Sequence, residues 1–216
     1  MNEHPSRHHG HGAALPATPA AAPVIPPSRE MVERLAARRS LPLRALGGPG
    51  PSPDELETLL TLALRTPDHG RLAPWRLIVV DGEARGVLGE RLDALYAAQN
   101  PEMAAGKTDM WRSYMLRAPV TVVVVSRPDR GSKVPEWNQI LSAGAVGMAL
   151  TVAANAMGFV TQWLLKWPGR DPEAAALLGV EAGEKVAGFI HIGRAIEGAP
   201  ERPRPALDAV VTRWTP

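Results

Sequence analysis

The 216-residue chain contains no cysteine. Disulfides, thiolate zinc sites, Cys-held iron–sulfur clusters and a cysteine nucleophile are therefore excluded. Lysine is scarce: of 24 basic residues only four are Lys, and the rest are Arg. Arg suits fork-like recognition of phosphate or carboxylate better than Lys does. A compositional bias, also visible in 33 Ala, would give the same excess without any ligand. Net charge is +2, with no block of five like charges, so no nucleic-acid partner is expected. Long hydrophobic runs are also missing. The best candidate, Ile140 to Val160, is broken by Ser142, Thr151, Asn155 and the glycines 144, 147 and 158. It reads as a buried core helix, and no membrane partner is expected.

Stock catalytic motifs are absent too. No Gly-x-Gly-x-x-Gly follows a strand, and there is neither a full phosphate loop, Gly-x-x-x-x-Gly-Lys-Ser/Thr, nor a Gly-x-Ser-x-Gly elbow. Only His69 and His191 lie outside the first 29 residues, too few for a metal hydrolase. What remains is an ordinary globular composition, 45% hydrophobic and 21% charged, of a size for one domain.

Residues 1–29 differ from the rest. They hold six Pro, six Ala, four His, one acidic residue and no aromatic residue. Such a composition buries too little apolar surface to offset the entropy of ordering it, and a disordered extension is expected. No 7–15-residue apolar run follows a basic start, so a secretory signal is not expected. His8, His9 and His11 have no carboxylate nearby and no fixed geometry, so no metal site is expected there.

From Ser28, a plausible N-cap, Val32, Leu35 and Ala36 form an apolar stripe ending at Arg38-Arg39-Ser40. Ser52-Pro53-Asp54-Glu55 is a strong helix start, and Pro67 stops that helix after Thr66. Strands are expected at Trp75–Val80, Pro119–Ser126, Phe159–Leu165 and Val186–Ile192. Helices are expected around Val87–Leu95, Met110–Leu116, Trp137–Met157 and after Asp171, with Gly158 and Gly179 as stops. A tail with Arg202, Arg204 and Trp214 reads as having no element of its own. Helices and about four core strands without regular alternation give an α+β domain.

Two segments stand out. Arg38-Arg39-Ser40 puts two guanidinia and a hydroxyl at a helix end. Taken alone, it is explained by the helix macrodipole, which favours cations there by ~0.3–1 kcal/mol each. Thr66-Pro67-Asp68-His69 with Ala73-Pro74-Trp75 reads, alone, as an ordinary Pro-Asp turn.

Together these segments resemble the nitroreductase family of flavin enzymes, in particular its minimal single-domain NAD(P)H nitroreductases. The matching pieces are Arg38-Arg39-Ser40; Arg65-Thr66-Pro67-Asp68-His69; Pro74-Trp75; Lys133-Val134-Pro135-Glu136-Trp137; Ser142-Ala143-Gly144; Ala156-Met157-Gly158-Phe159; Trp163; and Val186-Ala187-Gly188-Phe189 with Gly193. Each is weak alone, and the ordered set over about residues 30–214 is specific.

The resemblance implies an α+β sandwich with a mainly antiparallel central sheet flanked by helices, in an intertwined homodimer. It implies residues 30–216 as an FMN-binding domain, with FMN at the dimer interface. Arg38 and Ser40 then meet the FMN phosphate, a dianion that calls for Arg forks and a hydroxyl. Arg39 faces elsewhere or pairs with an acid. Arg65 and His69 match positions that touch FMN or its ribityl chain. Trp163, Leu164 and Leu165 match the segment beside the isoalloxazine ring. Gly193 and Arg194 match the end of the last strand, and Arg202 and Arg204 a basic pair in the tail.

Two departures matter. Many members have a basic residue two after the Ser of the first motif, near the flavin N1–C2=O edge, and here that position is Pro42. Arg71 is the candidate for the missing charge, which would stabilise anionic reduced flavin. Leu164-Leu165 stands where Arg-Ser is frequent: the change is tolerable if the backbone there donates to flavin N5, and otherwise the cofactor sits differently. The activity implied is passage of a hydride from NADH or NADPH to flavin N5, then of two electrons to a small organic acceptor such as a nitroaromatic, quinone or enone, in ping-pong fashion. The flavin carries the chemistry, so no catalytic side chain is expected. Dehalogenation or flavin fragmentation on the same fold, or flavin binding without turnover, are the alternatives. A cytoplasmic protein is expected.

Overall fold

Local signals start three of the helices in the structure, a computed structural model that describes residues 25–104 and 109–216. The histidines at 8, 9 and 11, and the extension up to residue 24, lie outside the described residues. Ser28 caps α1 (Arg29–Ala37), its Oγ accepting from the Met31 N–H at 3.2 Å. A two-residue strand, β1 (Leu46–Gly47), follows, too short to leave a pattern in the sequence. Ser52 and Glu55 form a reciprocal capping box at α2 (Pro53–Ala63). That helix ends three residues before Thr66. Next come β2 (Trp75–Asp81), α3 (Ala84–Gln99), the short α4 (Pro101–Ala104), α5 (Met110–Leu116) and β3 (Val120–Ser126). The long helix α6 (Glu136–Ala156) leads into β4 (Val160–Leu164). Asp171 caps α7 (Pro172–Leu177), and the chain continues through β5 (Lys185–Ala195). The tail does contain an element, contrary to expectation: α8 (Leu207–Val210), one exposed turn.

Val122 to Val125 show why the strands lie where they do. An uninterrupted apolar run suits a strand covered on both faces. Val122 and Val124 enter one core with Leu59 of α2, Leu150 and Ala154 of α6, and Ile190 and Ile192 of β5. Val123 and Val125 enter another with Leu92 of α3, Trp111 and Met115 of α5, Ala174 of α7 and Phe189 of β5. The sheet thus has α2 and α6 on one face and α3, α5 and α7 on the other. All strand pairings are antiparallel: β2 with β3, β3 with β5, and β4 and β1 in tandem along the far side of β5. The order is that of an α+β sandwich. The register between β3 and β5 shifts at Val124/Val125, leaving Ala187 as an extra residue on β5.

Helix α6 is long and apolar enough, by length and composition, to cross a membrane. In this fold Ala143, Val146, Leu150 and Ala154 along it are buried. Its other side exposes Trp137 (66%), Ile140, Leu141 (53%) and Met148. Helix α1 buries none of its residues, leaving Met31, Val32 and Leu35 exposed as well.

Candidate functional site

The first motif is fixed by the edge of the sheet. After α1 the chain turns at Arg38, and Ser40 forms a parallel bridge with Thr161 of β4. The Leu41 N–H donates to the Thr161 carbonyl at 3.3 Å, and Leu41 is buried with Ala45, Leu46 and Ala118. This leaves the Arg38 guanidinium and the Ser40 hydroxyl without a hydrogen-bond partner among the described residues. Arg39 is engaged differently. It donates to the carbonyls of Ala36 (2.8 Å) and Arg38 (2.9 Å) and forms an ion pair with Glu201. Glu201 is also 3.8 Å from Arg204, and Arg44 pairs with Glu197 at 3.4 Å. These contacts lay the tail beside the first motif. Arg38, Arg39, Ser40, Arg202 and Arg204 therefore gather in one region, with Glu201 between two of the cations. Glu201 left no signal in the sequence, because only the fold brings the tail there.

Residues of β4 and β5 border this region. The Trp163 indole donates to the Ala187 carbonyl at 3.3 Å and lies against Gly147 of α6 and Gly188 of β5, so it is a core side chain. Leu164 is half-buried at the end of β4, and Leu165 packs into the α3/α5/α7 core and against Gly169. What Trp163 to Leu165 can offer a ligand is chiefly backbone. A cavity of about 600 Å³ lined by Leu165, Arg170, Pro172, Val180 and Lys185 touches no other predicted site residue. Gly193 is a glycine for a packing reason: a Cβ there would stand 2.7 Å from the Gly47 carbonyl oxygen. Arg194 is committed internally, donating to the Gly158 carbonyl at 2.8 Å, lying over the Phe159 ring at 3.9 Å and facing Glu55 at 3.8 Å. The Gln162 Oε1 of β4 is buried without a hydrogen-bond partner among the described residues.

The second motif is held by α6. Ser142 Oγ donates to the Pro67 carbonyl at 2.6 Å and accepts from the Trp75 indole at 3.3 Å. Arg65, His69 and Arg71 are exposed on this loop. The Asp68 carboxylate accepts the backbone N–H groups of Leu72 (3.2 Å) and Ala73 (2.8 Å). Gly70, Arg71 and Ala73 have φ of 72°, 56° and 44°, and two of these residues carry side chains. The Lys133–Trp137 segment lies alongside, with Val134 against Gly70. It is pinned by Gln139, whose amide bonds Asp129 N, Asp129 O and Val134 O at 2.7–2.9 Å. The ordinary-turn reading of Pro67-Asp68 misses this carboxylate, because its partners lie four and five residues ahead.

The structure does not bring the two motifs together within one chain. Ser40 sits beside Thr161, at the end of the sheet where Val120 pairs with Ile192. The second motif leads into Trp75, at the end where Ser126 pairs with Lys185 and on the opposite edge. The length of β3 separates these ends by roughly 20 Å.

Among the described residues no group of His, Asp and Glu could hold a metal ion. His191, inside β5, bonds Thr121 Oγ1 through Nδ1 and Tyr114 Oη through Nε2, both at 2.9 Å. Burial pushes its imidazole down to about 4 and the Tyr114 phenol well above its ordinary value. This is a satisfied core histidine and not a ligand.

A chain with these motifs in this order has relatives. The protein named "Putative NAD(P)H nitroreductase YdjA" of Escherichia coli K12 is 33% identical over 168 residues, covering 76% of this chain and 87% of its own. A nitroreductase-like protein of Bacillus cereus superposes with a TM-score of 0.71 at 18% identity, over 88% of this chain and 98% of its own. A nitroreductase with bound FMN from Bacteroides fragilis superposes with a TM-score of 0.66 at 23% identity, over 87% and 100%. These two likenesses are of fold. The profile described as "Nitroreductase family" matches residues 35–194, and the chain belongs to that family.

Proposed function

We propose that two copies of this chain bind FMN between them and use it to pass electrons from NADH or NADPH to a small organic acceptor. The observation that carries this reading is the division of the binding set between opposite ends of the sheet. One copy cannot close both halves on one ligand, whereas a second copy can supply the other half. The apolar side of α6 and the unburied α1 provide a surface for that copy. The exposed tail from Leu207 to Trp214 suits an arm over it.

The chain's residues fit FMN. Arg38 offers a guanidinium and Ser40 a hydroxyl, both without a partner among the described residues, to the phosphate, with Arg202 and Arg204 as further cations nearby. The backbone at Leu164–Leu165 borders the ring, and Arg65, His69 and Arg71 come from the other copy. Arg39 and Arg194 act through the protein, holding the tail and the end of α6. Bound FMN supplies the hydride- and electron-transfer chemistry. The residues supply position and charge, and the reading needs no catalytic dyad. The acceptor would be a small reducible organic molecule such as a nitroaromatic, quinone or enone. The protein works in the cytoplasm.

The test is a titration of FMN and of riboflavin into Arg38→Ala and parent apoprotein. Charge-assisted hydrogen bonds contribute ~1.5–3 kcal/mol each, so FMN affinity falls roughly 10- to 150-fold while riboflavin binds both proteins equally. Unchanged FMN affinity, with a stability loss of ~0.3–1 kcal/mol, assigns Arg38 to the helix dipole instead. A parent protein that takes up no FMN, or whose flavin neither NADH nor NADPH bleaches anaerobically, removes the reading.

A further inference from the structure

We propose that Asp68 is a positioning residue that raises the reduction potential of the bound flavin by holding the Arg71 cation in place. The proposal rests on the flavin reading above and concerns how the second motif serves it.

Left-handed φ is uncommon for residues with a side chain and clusters where function requires it. Within four residues this loop has three such values, at Gly70, Arg71 and Ala73, with Leu72 right-handed between the last two. Alternation of this kind turns successive N–H groups toward one point and forms an anion nest. The nest is already filled. Asp68 Oδ1 and Oδ2 take the N–H groups of Leu72 and Ala73, and the Arg71 N–H bonds the Asp68 carbonyl at 3.3 Å. The Asp68 carboxylate thus holds the backbone of Leu72 and Ala73, on the far side of Arg71, while its main-chain carbonyl takes the Arg71 N–H. Three outside contacts fix the same loop: Ser142 on Pro67, Arg127 Nε on the Ala73 carbonyl at 3.3 Å, and Val134 against Gly70.

Two consequences follow for the ligand. Because the Asp68 carboxylate already takes the Leu72 and Ala73 N–H groups, the nest is not free to hold the FMN phosphate, and the loop serves the ring end instead. The Arg71 guanidinium, meanwhile, has no ion-pair or hydrogen-bond partner among the described residues, although its backbone is held in a strained conformation. An unpaired cation carried beside the ring on a held backbone would stabilise the anionic reduced flavin more than the neutral oxidised one.

The experiment compares FMN-loaded parent, Asp68→Ala, Asp68→Asn, Arg71→Ala and the Asp68→Ala/Arg71→Ala double variant. Midpoint potential is read by dye equilibration, together with thermal midpoint and oxidised-FMN affinity. Arg71→Ala and Asp68→Ala are each expected to lower the preference for reduced over oxidised flavin by about tenfold, ~30 mV for a two-electron couple. The double variant is expected to match Arg71→Ala, and Asp68→Asn, which keeps one acceptor oxygen, to fall between Asp68→Ala and parent. If Asp68→Ala does not fold, Asp68→Asn with and without Arg71→Ala carries the same comparison. A lowered thermal midpoint with the parent's potential, an unchanged potential in Arg71→Ala, or additive shifts in the double variant would each overturn the proposal. A parent that binds no FMN is a different result and overturns the flavin reading itself.

Discussion

The indole of Trp163 lies so close over Gly188 that no side chain can occupy position 188. A Cβ on Gly188 would overlap the indole Nε1 and Cδ1, and one on Gly147, from α6 on the other side, would stand 2.5 Å from Cη2. The bulge at Ala187 offers its carbonyl to the same indole. Two glycines and a bulge thus fix Trp163 and, with it, the backbone of Leu164 and Leu165.

Gly188→Ala should therefore be destabilising by overpacking, about 1–3 kcal/mol in urea unfolding. Shrinking the ring with Trp163→Phe in the same protein should recover part of that loss. An alanine at 188 that leaves the urea midpoint unchanged would mean that the indole has room to move.

Stability should depend on pH through His191. Its imidazole in the folded protein titrates at about 4, against 6.5 when unfolded, because burial disfavours the charged form. The unfolded chain binds the proton more readily, so the contribution is full above pH 6.5 and is lost as pH falls toward 4. The whole effect is about 3 kcal/mol. Urea midpoints should be flat from pH 8 to 7 and fall between 6.5 and 5, above the carboxylate range. His191→Gln should lower the midpoint overall and remove the slope in that window.

Glu201 places a negative charge between Arg39 and Arg204, beside the proposed phosphate site. Glu201→Gln should tighten FMN binding a few-fold at low salt, with the gain shrinking at 0.5 M salt as screening grows. Riboflavin affinity should not change. Weaker FMN binding would instead mean that Glu201 is needed to order the tail.

Leu141 and Met148 face outward from the long helix. Leu141→Glu puts a charge into the surface assigned to the second copy. Sedimentation should show a stable dimer for the parent and, for the variant, monomer together with loss of FMN. A variant that stays dimeric moves the interface elsewhere.

Much of the fold was legible in the chain because its signals are local. Ser28, Ser52 and Asp171 cap the helices they mark, each by a hydrogen bond to an amide three residues on. The run from Val122 to Val125 is a strand because it is covered on both faces. The two residues of β1 and the single turn of α8 were not legible: neither is long enough to show a period, and β1 exists only because β5 offers an edge. In the candidate site, residue types and order sufficed for the family, since Arg38-Arg39-Ser40 and Thr66-Pro67-Asp68-His69 are contiguous stretches.

By itself the sequence determined which chemistry the chain excludes, where helices and strands start, and which motifs it carries, all properties of neighbours within a few residues. Only the tertiary structure decided what each motif residue is free to do. Arg38 and Arg39 are adjacent and alike, yet the fold leaves one guanidinium open and ties the other to Glu201, 162 residues away. Arg194 is taken up by Gly158, Phe159 and Glu55, and Asp68 turns from a turn former into the anion of a nest. The two motifs end on opposite ends of one sheet because antiparallel register fixes where each strand begins. Hydrogen-bond partners and register depend on contacts between residues far apart in the chain, and a one-dimensional pattern does not contain them.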